Sequence, residues 1–174
     1  MKRGLLRVSV IVVCLLVLPG AVLANNFVVG SSSNGNVTLD SANNWIVVRS
    51  ATVNIPGGDG AVHGCVATAS ADMESGGAVG VENQYRFVLS RNNTNPTTNG
   101  GSERLLELVD NDGADDPDFK PVSTTVTSTG LTNDNGANGT GAHTFYFLGR
   151  KVEAGDANAD VLDASLSVMC VDTP

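Results

Sequence analysis

Read for alternation of apolar and polar positions, the chain is a succession of short β-type runs separated by clusters of Gly, Asn, Asp, Ser and Thr, with almost no helical period. The pattern predicts strands over Asn36 to Leu39, Trp45 to Arg49, Ala51 to Ile55, Val62 to Thr68, Gln84 to Ser90, Arg104 to Val109, Val122 to Ser128, Thr144 to Val152 and Ala164 to Val171. The last is the cleanest: Ala164, Leu166, Val168 and Cys170 share one face, Ser165, Ser167, Met169 and Val171 the other. In the run from Gln84, the apolar face is Tyr85, Phe87 and Leu89, opposed by Gln84, Arg86 and Ser90. Phe145 to Leu148 are consecutively apolar, which predicts a central strand covered on both faces. Glu103 to Glu107 are good helix formers, yet the flanking pattern favours a strand there.

Eight or nine strands predict an all-β fold, a two-sheet antiparallel β-sandwich. The immunoglobulin pattern of a Trp between two bridged cysteines is absent, because Trp45 precedes both Cys65 and Cys170. The stretches Gly141 to Leu148 and Ala164 to Val168 resemble the closing hairpin of jelly-roll domains found in extracellular trimers. That resemblance implies a jelly-roll-like topology and a homo-oligomer.

The first 24 residues read as a secretory signal peptide. Lys2, Arg3 and Arg7 form a basic start, Val8 to Leu18 an apolar run, and Val22-Leu23-Ala24 a cleavage site, with Asn25 the expected mature N-terminus. Pro19-Gly20 break the run short of the roughly 20 residues a membrane anchor needs. Cys14 lies inside that run, after Val12-Val13, which disfavours lipidation. The expectation is a secreted or periplasmic protein with no membrane insertion after cleavage, and residues 25–174 as a single β-sandwich domain.

Charge narrows the partners. The leader takes three of the ten basic residues, leaving seven cations against 18 carboxylates and no basic cluster, which argues against nucleic acid. Two cysteines outlast the leader, and in an oxidising compartment they are expected to pair as Cys65–Cys170; a redox or metal role would rest on His63, two residues from Cys65.

Candidate chemistry gathers in three long polar loops, Arg91 to Ser102, Asp110 to Pro121 and Gly130 to Gly141. Asp110, Asp112, Asp115, Asp116 and Asp118 crowd around Gly113, an oxygen-rich turn suited to Ca²⁺ but lacking full EF-hand spacing; the alternative is a solvated acidic loop. Asp156, Asn158 and Asp160 repeat the theme, again without the turn Gly. Trp45 and Phe119 are candidate stacking platforms for a glycan. Catalytic motifs are absent, so a hydrolase would have to use His63 or His143. Asn36, Asn92 and Asn138 stand in Asn-x-Thr glycosylation sequons.

Three readings result. The first is a non-enzymatic exported binding or structural module with a protein or glycan ligand. The alternatives are a calcium-dependent carbohydrate-binding module and a small secreted hydrolase.

Overall fold

The computed structural model describes residues 27–32, 35–55, 62–75, 77–91, 93–96, 103–109, 118–128 and 141–173. Nine strands are present among them: β1 Phe27–Ser32, β2 Val37–Leu39, β3 Ile46–Ile55, β4 Val62–Ser75, β5 Glu82–Arg91, β6 Arg104–Val109, β7 Asp118–Ser128, β8 Gly141–Lys151 and β9 Ala159–Thr173. They form two antiparallel sheets. Sheet A runs β1-β9-β4-β7, with β2 also on β9, and sheet B runs β3-β8-β5-β6. The expected signal peptide lies outside the described residues.

The pairings are nested. β1 and β2 with β9 enclose β3 with β8, which encloses β4 with β7, which encloses β5 with β6. The chain is thus one long doubled ribbon. Coiling it brings β4 against β9 and β5 against β8, and these two ladders complete the sheets.

Period-two alternation decides what each strand buries. β4 turns Ala67, Ala69, Ala71 and Met73 inward and leaves Thr68, Ser70 and Asp72 exposed. β9 adds Val161, Ala164, Leu166, Val168 and Cys170, and sheet B adds Tyr85, Phe87, Leu89, Phe145 and Phe147, so both sheets bury their inner faces in one core. Within this core Phe87 stacks on Phe147 with centroids 5.5 Å apart. Gly149 is a steric requirement of this packing: a Cβ there would come within 3.0 Å of Leu39 Cδ2 and Phe87 Cε1.

Several expectations need correction. The two runs expected on either side of Ser50 are one strand, β3, with a bulge between Val47 and Arg49. The bulge turns Arg49 toward sheet A, where its Nε donates to Ala164 O at 3.1 Å and its second guanidinium nitrogen to Gly35 O at 3.2 Å. Ala164 follows Asp163, whose φ of 46° marks a second irregularity where β4 and β9 shift register between Ser70 and Asp72. Arg49 therefore ties an irregularity in each sheet to the break between β1 and β2.

β4 continues past Thr68 to Ser75, β7 begins at Asp118 inside the expected loop, and β1 was not anticipated. The resemblance to a closing hairpin also fails in its detail: β8 lies in sheet B and β9 in sheet A, so their connection crosses between sheets. Arg104–Val109 is a strand, paired with β5, despite its helix-forming composition.

Candidate functional site

The disulfide is a rung of sheet A. Cys65 and Cys170 are direct register partners on β4 and β9, their Cα atoms 4.0 Å apart, and both side chains face the core. It joins neighbouring strands within one sheet. Both residues are buried, Cys65 2% and Cys170 0% exposed, so the pair is sealed from solvent. His63 stands two positions before Cys65 on β4, opposite Asp172 of β9.

The calcium candidates Asp110, Asp112, Asp115 and Asp116 lie outside the described residues, and Asp118 opens β7 opposite Ser75. The second acidic segment is described, and its oxygens diverge. Asp156 accepts the Glu153 N–H at 2.7 Å, Asn158 accepts from the Lys151 ammonium at 3.1 Å, and Asp160 accepts the Thr38 hydroxyl at 2.6 Å. An oxygen committed to an ammonium is a poor cation ligand. Among the described residues no group of three His, Cys, Asp or Glu side chains converges to hold a metal.

That segment is instead an inter-sheet corner held by buried polar groups. Lys151, 7% exposed, donates to Asp156 O and Asn158 Oδ1; Asn83, 2% exposed, accepts the Ala157 N–H at 2.7 Å; and the Tyr85 hydroxyl donates to Ala157 O at 2.9 Å. Asn83→Ala removes the acceptor of the half-buried Ala157 N–H, and we expect a loss of about 0.5–1.5 kcal/mol in denaturant titration. A change below about 0.5 kcal/mol would show that the corner does not depend on this bond.

The histidine and aromatic candidates separate. His143 is fully buried on the inner face of β8, opposite Val53, and is closed to a substrate from solvent. Tyr85 is likewise core. Phe119 lies on β7, opposite Glu74 at the edge of sheet A, while Trp45 leads into β3 at the edge of sheet B, so the structure does not bring them together.

Trp45 has a different companion, which the sequence pattern did not reveal. The Arg150 guanidinium lies 4.6 Å from its ring centroid, a cation–π contact on the outward face of sheet B. Arg150 is the direct register partner of Arg86 on β5. Arg86 is held by Glu103 at 3.0 Å, and Arg150 reaches Ala42 O at 3.4 Å. Beneath them on the same outward face, Leu148 and Val88 are buried although they lie outside the core. Alternation alone marks Arg86 as outward; only the β5–β8 register shows that Arg86 and Arg150 are direct partners, and they reach to opposite sides, Arg86 to Glu103 and Arg150 to Trp45 and Ala42.

Compared with known proteins, the chain matches no family model and no curated sequence.

The outward face of sheet A is of another kind. Gly30, Ser167, Thr68 and Thr125 form one row across its four strands, and Ser165, Ser70 and Ser123 part of the next. Hydroxyls pair along these rows, Ser70 with Ser165 at 2.8 Å. Met169 and Val66, 49% and 36% exposed, sit side by side in a third row. None of these residues is ionisable. Beyond them the face turns acidic, with Asp72 and then Glu74 beside Asp160.

Proposed function

We propose that the chain is an exported, non-catalytic β-sandwich of jelly-roll-like topology that works as a structural or binding module and associates with copies of itself. The nested pairing supports the topology, since a doubled ribbon coiled into two sheets is how a jelly roll is wound. The Cys65–Cys170 rung supports an oxidising destination, secreted or periplasmic.

The observation that carries self-association is the uncharged stretch of the outward face of sheet A, short of Asp72 and Glu74. On a chain of net charge −8, two copies repel wherever carboxylates meet. The rows from Gly30 to Thr125 and from Met169 to Val66 offer contact without that repulsion, with exposed apolar area at hand.

Light scattering on the exported protein tests this reading. We expect a mature chain starting at Asn25, with its disulfide formed, whose mass is a multiple of the chain mass, and a Met169→Glu variant that shifts to the monomer with an unchanged thermal midpoint. A wild type that stays monomeric at hundreds of micromolar would overturn self-association.

A further inference from the structure

We propose that Met169 is a peroxide-sensitive position, and that its oxidation to the sulfoxide separates copies of the chain joined through sheet A. This adds regulation to the self-association reading and rests on it.

The chain has three methionines, and the fold treats them differently. Met1 opens the expected leader. Met73 is 0% exposed, on the inner face of β4 opposite Val161 of β9. Met169 is 49% exposed, on the outward face of β9. Its register partners are Val28 on β1 and Val66 on β4, and the next row toward the acidic end holds Gly30, Ser167 and Thr68. Hydrogen peroxide is small and neutral, so an acidic surface does not repel it, and exposure governs which sulfur it reaches. The cysteines do not compete for it, because Cys65 and Cys170 are already joined and both are buried.

Hydrogen peroxide is the sole co-reactant the step requires. A lone pair of the Met169 sulfur forms the new S–O bond as the O–O bond breaks. One oxygen stays on sulfur, and the other leaves as water with both of the peroxide's protons. Sulfur is oxidised and the peroxide reduced, with no other electron donor or acceptor. The product carries a polar S=O acceptor where an apolar thioether stood, and reductases of the methionine sulfoxide class reverse it.

That change falls on the row that supplies the apolar part of the contact. Met169 and Val66 are neighbouring exposed apolar side chains, set away from Asp72 and Glu74. Covering a sulfoxide there without a hydrogen-bond donor has a desolvation cost that covering a thioether does not. The nearest hydroxyl rows are engaged with themselves, Thr68 with Thr125 at 3.4 Å and Ser70 with Ser165 at 2.8 Å. The effect also has a direction. Contact between copies covers Met169 and separation uncovers it, so peroxide acts on the separated form and withdraws it from the equilibrium.

The test is limited hydrogen peroxide treatment of the intact exported protein, read by peptide mass and by light scattering. We expect Met169 to gain an oxygen about tenfold or more faster than Met73, and faster in dilute than in concentrated protein. The oxidised protein is expected to associate about tenfold or more weakly than the untreated one, with an unchanged thermal midpoint. Met169→Leu, which keeps an apolar side chain of similar volume, is expected to associate and to stay associated under the same treatment. Oxidation of Met73 as fast as Met169, an oxidised protein that associates as strongly as before, or a Met169→Leu variant that peroxide still separates overturns the proposal. An untreated protein that is already monomeric at hundreds of micromolar overturns the self-association reading together with it, whereas an associated protein that peroxide leaves associated overturns the switch alone.

Discussion

Replacing Phe147 by Ala is expected to cost about 3–5 kcal/mol, the largest loss for any single side chain in this fold. Phe147 is fully buried on β8, flanked by β3 on one side and β5 on the other, and its ring stacks on Phe87 at 5.5 Å. Deleting it opens a cavity whose lining is rigid strand, and strands in the middle of a sheet cannot close in to fill it. The measurement is equilibrium denaturation of Phe147→Ala beside Tyr146→Ala, one residue away and turned outward. We expect the outward variant to lose less than a third as much. Similar losses for both would mean that sheet B does not bury the face assigned to it.

Removing the disulfide is the second large effect. Cys65 and Cys170 are separated by 105 residues, and a loop of about that length is worth up to ~4.7 kcal/mol in the chain-entropy account, with about 2–5 kcal/mol lost when native disulfides are removed from small secreted domains. For the Cys65→Ala, Cys170→Ala pair, a fall in the unfolding midpoint on the order of 10 °C is expected. The rung position makes the effect mostly one on the unfolded chain, because β4 and β9 remain joined by the ladder from Val62–Thr173 to Ser75–Ala159. Calorimetry of the double variant decides: a midpoint within about 2 °C of the oxidised wild type would show that the ladder alone holds β9.

Much of this fold is legible residue by residue. The faces of β5 and β9 follow from strict alternation, and the placement of Tyr85, Phe87, Leu89, Leu166 and Cys170 in the core follows with them. β3 reads as two runs because a bulge shifts the period by one and leaves Ser50 exposed in mid-strand. The β4 pattern fades after Thr68 because its continuation buries Ala69 and Ala71, whose weak β-propensity hides their inward direction. β1 is a brief apolar run ending in serines, and its strand character comes from its pairing with Gly30–Ser167 and its neighbours on β9.

What escaped the sequence most completely was long-range register. Arg86 and Arg150 are 64 positions apart, and each by itself reads as a solvated surface cation. They become a pair only through the β5–β8 ladder. Likewise Asp156, Asn158 and Asp160 look like one ligand set along the chain, but the corner turns them to three different partners.

The place of β9 has a further consequence for how the chain comes to be folded. It is the last of the nine described strands to be synthesised, yet it stands inside sheet A, with β1 and β2 on one side and β4 on the other. Until it arrives, β1 and β2 lack their ladder and β4 lacks one of its two neighbours. A chain emerging N-terminus first must therefore wait, open, for its final strand. When β9 slides in, it seats the second cysteine beside the first, so oxidation reports the moment at which assembly is complete.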